Sequence, residues 1–250
     1  MNTGTTSQDA GGDLLALWER AAAAAPGERD DSLLLAAFGP DAPMASLGAR
    51  NAALLGLRVH LFGAAQPLRC NCPHCGATAE FSIDCPSLSQ SLLPSSEAAR
   101  THTLEAEGYR LEFRVPDVHD LREGCPQDDD RSAFVGKLLA RCVSRCERDD
   151  ASPCAPDDLP AAVTQALSRR MEELEPGASV SFDLTCPECG QAWAAPMNVG
   201  DVVWSELQSR AERLLLDVDA LARAYGWSER EVLALSPLRR AAYLQLVGSA

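Results

Sequence analysis

Two cysteine pairs carry the strongest chemical signal in this chain. Cys72-Pro73-His74-Cys75-Gly76 and Cys186-Pro187-Glu188-Cys189-Gly190 share the pattern CPxCG. Two thiolates at this spacing supply half of a tetrahedral metal site. The proline stiffens the approach, and the glycine permits the tight turn that aims backbone N–H groups at sulfur. Together the two pairs make one complete site, with Cys72, Cys75, Cys186 and Cys189 as the ligands of a single zinc. Four protein thiolates leave no position open for water or substrate, so this zinc is expected to be structural rather than catalytic. Two redox CxxC motifs, or two ordinary buried pairs, explain a repeated CPxCG less well.

Residues 76 to 185 separate the pairs, far more than the about 15–20 residues of a compact zinc ribbon. Either a ribbon carries a large insertion or each pair binds its own metal. Cys70 and Cys85 flank the first pair, and Cys125, Cys142, Cys146 and Cys154 lie in the interval. The second pair has no nearby Cys or His and must borrow ligands, which favours one shared zinc. A second metal at Cys125, Cys142, Cys146 and Cys154 stays open, although no knuckle frames it.

Composition narrows the function classes. A hydrophobic content of 46% supports a real core and excludes global disorder. The formal charge is −14, and four thiolates around a divalent cation bring the total to about −16. Binding nucleic acid without sequence preference needs clustered Lys and Arg, so the charge opposes it. No run of about 18 apolar residues is present, so no membrane span is expected. The first twelve residues lack a basic start and an apolar stretch and read as a flexible tail rather than a secretory signal. Ten cysteines without an export signal point to a reducing, cytoplasmic setting rather than a disulfide framework.

The elements that must position the knuckles follow from periodicity and punctuation. Helical patterns start at Asp13, near Asp31–Phe38, and at Leu47–Phe62, the last stopped by Gly63. Ala79–Ile83 and the Val180, Phe182, Leu184 alternation read as knuckle strands, with Leu88–Pro94 as a loop. Thr101–Glu105 and Tyr109–Val115 alternate around Gly108 as a β-hairpin that could extend the ribbon's sheet. Asp128-Asp129-Asp130 reads as the cap of a helix over Ser132–Arg145, which would set Cys142 and Cys146 one turn apart. From Val203 to Tyr225 an apolar stripe through Leu207, Leu214, Val218 and Leu221 marks a long amphipathic helix. Ser228 to Glu231 forms a capping box, and Ser236-Pro237 opens a final helix.

The expected fold class is α+β and mostly helical, with a zinc-ribbon-like β unit built from two knuckles far apart in sequence. Its parts are a tail over 1–12, N-terminal helices over 13–66 and a ribbon over 67–86 plus 179–198. An insertion with a β-hairpin and helices occupies 87–178, and C-terminal helices over 199–250 are expected to pack on 13–66. No HExxH, GxxxxGK, GxSxG or post-strand GxGxxG is present, and none of the four histidines has a partner at a diagnostic spacing. The residues therefore describe a zinc-stapled, non-enzymatic interaction protein. Arg50, Arg58, Arg239 and Arg240 are the candidate partner-binding residues.

The segments LLALWER (Leu14–Arg20) and LGARNAALLGLRVHLFG (Leu47–Gly63), the two knuckles, and the run from Trp204 to Val247 add a resemblance. Tyr225-Gly226-Trp227-Ser228 and Leu235-Ser236-Pro237 with Arg239-Arg240 are its most specific parts. The chain resembles the baseplate assembly proteins of contractile phage tails and contractile injection systems, relatives of the T-even-phage baseplate hub assembly chaperone. The resemblance covers about residues 13–248, loosely over 87–178, where the extra cysteines depart from the pattern. It implies a non-enzymatic assembly factor or structural component whose partner is a baseplate or hub/spike subunit, without nucleic acid or membrane. Two other readings compete with it. A zinc-ribbon adaptor or regulator would need a basic face, and a thiol-disulfide redox protein would need an exposed CxxC free of metal.

Overall fold

The computed structural model describes residues 10–42, 46–94, 101–120 and 131–248. The expected tail over 1–12 lies mostly outside these residues, as do Cys125 and the Asp128–Asp130 run. The chain forms two compact units, one from Met1–Gly39 with Asp201–Ala250 and the other from Pro40–Gly200.

The first unit is helical. It contains α1 (Ala10–Ala23), α2 (Arg29–Phe38), the long α7 (Val199–Tyr225) from Asp201 onward, α8 (Glu229–Leu233) and α9 (Pro237–Gly248). On α7 the buried positions Val203, Leu207, Ala211, Leu214 and Leu221 recur at helical spacing. Leu14, Leu15 and Trp18 of α1 pack on Ala211 and Leu214, together with Leu233 of α8. Arg29 stacks its guanidinium over Trp204 at 4.4 Å. Gly226, at φ +70°, ends α7 in a conformation that favours glycine. Ser228 and Glu231 then close a reciprocal capping box on α8. Stacking of Tyr225 on Trp227 and edge contacts of both with Tyr243 hold α9 to the end of α7.

The second unit is α+β, with three small antiparallel sheets and helices α3 (Leu47–Phe62), α4 (Cys85–Ser91), α5 (Arg131–Cys142) and α6 (Ala161–Leu174). The grouping of residues 13–66 as one helical set is thereby divided. α3 belongs to this unit and packs on α4 and the turn Pro176–Ala178. Its first turn meets that turn glycine to glycine. A Cβ on Gly48 would strike the Leu92 carbonyl and come 3.3 Å from the Gly177 Cα, so only glycine fits. Glu175, 2% exposed, accepts hydrogen bonds from the Gly48 N–H at 2.8 Å and from the Ser46 hydroxyl. A carboxyl distant in sequence thus serves the α3 N-terminus alongside the local Ser46 cap. Asn51 adds a bond from Nδ2 to the Gly177 carbonyl at 2.9 Å.

Two sheets are hairpins: β1 (Ala65–Asn71) with β2 (Thr78–Asp84), and β6 (Val180–Thr185) with β7 (Ala192–Met197). Leu88–Pro94, expected as a loop or turn, is helical as far as Ser91, the end of α4 (Cys85–Ser91), which starts directly after β2. The Asp84 carboxyl accepts from the Ser87 N–H at 3.0 Å and caps it, and Pro86 sits in its first turn. The third sheet corrects two expectations. The hairpin of β3 (His102–Ala106) and β4 (Tyr109–Phe113) does not extend the knuckle strands. Its third strand is β5 (Val143–Arg148), in the order β3-β4-β5. The helix expected to Arg145 stops at Cys142 because Val143–Arg148 pairs with the open edge of β4. Cys142 and Cys146 are therefore not one helical turn apart. Leu111 and Phe113 of β4, Leu139 and Cys142 of α5, and Val163, Leu167, Met171 and Leu174 of α6 make this sheet's core. Across its end, Arg114 donates two hydrogen bonds to the buried Asp120 carboxyl at 2.6 and 2.8 Å.

Candidate metal centre

Each knuckle is the turn of a hairpin, Cys72–Gly76 between β1 and β2 and Cys186–Gly190 between β6 and β7. Their backbones repeat one pattern. The Gly76 N–H donates to the Cys72 carbonyl at 2.9 Å, and the Gly190 N–H to the Cys186 carbonyl at 3.0 Å. The Cys72 N–H donates to Ala77 at 2.8 Å and the Cys186 N–H to Gln191 at 2.9 Å. Both glycines adopt positive φ, +75° and +71°, which explains the glycine that closes each motif.

The fold brings the two turns together. Cys72 Sγ lies 3.8 Å from Cys189 Sγ and Cys75 Sγ 3.6 Å from Cys186 Sγ, and all four sulfurs fall within 4.8 Å of one another. Four Zn–S bonds of about 2.3 Å in a tetrahedron require sulfurs about 3.8 Å apart, so the set has the size of a four-thiolate zinc site. Cys72 and Cys186 are each 2% exposed, whereas Cys75 and Cys189 face outward. The variable knuckle positions, His74 and Glu188, are exposed and lie outside the cluster. Phe81 of β2 and Phe182 of β6 meet at 5.4 Å, a second contact between the hairpins.

Electrostatics within the cluster are divided. Backbone N–H groups of Cys189 and Glu188 pull the Cys186 thiol down to about 7. The Ala77 N–H favours a thiolate at Cys75, but the bond with Cys186, lost solvation and the sulfurs of Cys189 and Cys72 outweigh it and push that thiol up to about 12. Cys189 is raised as well, although the Gln191 N–H favours its thiolate, because desolvation and the Cys186 contact outweigh that bond. Four sulfurs this close resist carrying four charges, and a divalent cation at their centre relieves the repulsion.

The remaining cysteines separate from this group. Cys85 is fully buried 3.8 Å from the Arg58 guanidinium, and Cys70 is half-buried on β1. The second metal set considered for Cys125, Cys142, Cys146 and Cys154 is not assembled. Cys146 and Cys154 are joined in a disulfide, and Cys125 lies outside the described residues. Burial pushes the Cys142 thiol up to about 11. Among the described residues, Cys72, Cys75, Cys186 and Cys189 form the only group of three or more such side chains placed to hold a metal.

The four candidate partner arginines have different surroundings. Arg58 is 2% exposed and donates to the Gly63 and Ala65 carbonyls, so it is committed to the turn between α3 and β1 rather than to a partner. Arg50 is half-buried on α3. Arg240 pairs with Asp217 at 3.1 Å, and Arg239 is exposed. Sequence reading missed Glu175, whose contacts with Ser46 and Gly48 span 127 to 129 residues and leave no local signal.

No curated protein and no solved structure matches the chain. A family model described as T4 bacteriophage base plate protein matches residues 31–201, a span holding all four clustered cysteines and most of the second unit. The match covers more than half of the sequence, and the chain belongs to the T4 bacteriophage base plate protein family.

Proposed function

We propose that this protein is a non-enzymatic assembly factor or structural component of the baseplate hub of a contractile phage tail or contractile injection system. It works in the cytoplasm where such particles are built, and it holds one structural zinc. The family match over residues 31–201 carries the reading. The four-sulfur cluster supports the zinc, because its size suits tetrahedral thiolate coordination and its donors leave no open position. Among the described residues no helix is long and apolar enough to cross a membrane.

The proposed docking surface for a hub or spike subunit is α9. Leu238 and Leu246 are 82% and 61% exposed, two turns apart on one side of the helix. Arg239 is exposed beside them, and α9 contains no acidic residue in a chain of net charge −14. An apolar groove with an acidic rim complements that surface. Arg50 on α3 is a secondary candidate.

The test is deletion of the gene, with particles examined by electron microscopy and complemented by wild type or by Leu238→Asp/Leu246→Asp. Absent or malformed baseplates, rescued by wild type and not by the double variant, are expected. Normal particles after deletion would end the assembly reading. Full rescue by the double variant would move the contact away from α9. Mass spectrometry of finished particles separates a retained component from a departing assembly factor.

A further inference from the structure

We infer that Cys146 and Cys154 form a reversible disulfide site, one that opens and closes with the thiol–disulfide balance of the surroundings while the backbone around it stays in place. Cys146 lies on β5 and Cys154 in the loop beyond, with Cα atoms 5.3 Å apart, inside the range a disulfide spans. Hydrogen bonds hold that spacing without the sulfurs. The Cys154 N–H donates to the Cys146 carbonyl at 3.1 Å, and the Arg148 N–H to the Ser152 carbonyl at 2.9 Å. Glu147 and Pro153 form a β-bridge between them. The turn is closed by the Ala151 N–H on the Arg148 carbonyl at 2.8 Å and by the Asp150 carboxyl, which accepts from the Ser152 N–H at 2.9 Å. The two cysteines therefore face each other whether or not they are bonded.

Access and competition select this pair. Cys154 is half-buried and within reach of a small reagent, whereas Cys146 is 6% exposed against the core of the three-stranded sheet. Cys142, also in that core, is 1% exposed and too buried to ionise readily. The natural oxidant class is a low-molecular-weight disulfide. The Cys154 thiolate attacks one of its sulfurs, forming a mixed disulfide and displacing one small thiolate. The Cys146 thiolate then attacks the Cys154 sulfur, closing the internal bond and expelling the second small thiolate. Two protein thiols are oxidised, one small disulfide is reduced to two thiols, and the two protons pass to the departing thiolates.

Closure ties β5 to the turn Pro156–Asp158, which packs on α5. Once the bond between Cys146 and Cys154 is made, the entropy it removes from the unfolded loop favours the folded segment over the unfolded one by about 80-fold. The site is thus open where thiols are abundant and locked where they are not.

The test incubates the zinc-replete full-length protein with either reduced glutathione or glutathione disulfide, alkylates it and maps the peptides by mass spectrometry. Zinc content and hydrogen exchange are read on the same samples. Glutathione disulfide is expected to yield a Cys146–Cys154 crosslink and to slow exchange at the Cys154 and Arg148 amides by up to about 80-fold. Reduced glutathione is expected to leave both thiols free with the β5 amides still protected. Cys142→Ser should keep the crosslink. Free Cys146 and Cys154 under glutathione disulfide, a crosslink through Cys142, or loss of β5 protection on reduction would each overturn the inference. The zinc ratio separates failure at this site from failure of the metal reading, on which the inference does not depend.

Discussion

Replacing Glu175 by alanine tests whether a carboxyl far away in sequence sets the start of α3. Its Oε1 accepts from the Gly48 N–H and the Ser46 hydroxyl, while Oε2 is buried without a hydrogen-bond partner. Hydrogen bonds to a charged group contribute about 1.5–3 kcal/mol each, and relief of a buried charge offsets part of the two. Glu175→Ala should therefore cost about 3 kcal/mol. Glu175→Gln keeps one carbonyl acceptor but gives up charge assistance, for about half that loss. With a urea dependence of about 2 kcal/mol per molar, the unfolding midpoint of the second unit falls by about 1.5 M for alanine and about 0.7 M for glutamine. The assay is urea unfolding followed by circular dichroism. An alanine variant within about 0.2 M of wild type would refute the reasoning, and a glutamine variant as unstable as alanine would show that shape, not acceptance, matters.

Elemental analysis of protein purified without added metal should give one zinc per chain. Cys186→Ser should lose that zinc and become protease-sensitive, whereas His74→Ala, at an exposed position outside the cluster, should keep both zinc and stability. Acid should weaken the end of the three-stranded sheet through Asp120, whose carboxyl the Arg114 hydrogen bonds hold below its usual range. The folded-state value lies below the unfolded one, so this stabilisation is complete above about pH 4 and disappears as pH falls through the folded value. Thermal melts from pH 7 to 2 should show this acid loss in wild type and a smaller one in Asp120→Asn, and equal slopes would contradict the assignment.

The four-cysteine cluster was legible because its chemistry is local. Each knuckle needs only five residues, and the glycine that closes each turn announces itself in the sequence. Leu47–Phe62 was equally plain, since its apolar surface runs unbroken to Gly63, which stops it. What escaped depends on distant partners. Val143–Arg148 continues a helical pattern and becomes a strand only because β4 has an open edge. Arg58 reads as a surface cation, and its burial follows from carbonyls at the α3–β1 turn that no periodicity encodes. The placement of α3 in the second unit rests on Gly48 meeting Gly177, two residues whose sequence context shows only a helix and a turn.

The separation of the two knuckles has a consequence during synthesis. Cys75 leaves the ribosome 111 residues before Cys186. At about 5–20 residues per second, the first hairpin waits roughly 6–22 s before the second half of its site exists. For that interval its two thiols face the cell as an incomplete chelate, open to a wrong metal or to oxidation. On the proposed zinc reading, the nascent chain depends during that interval on a reducing, zinc-buffered environment. Expression under zinc starvation should therefore damage newly made molecules far more than the same starvation applied after synthesis is complete.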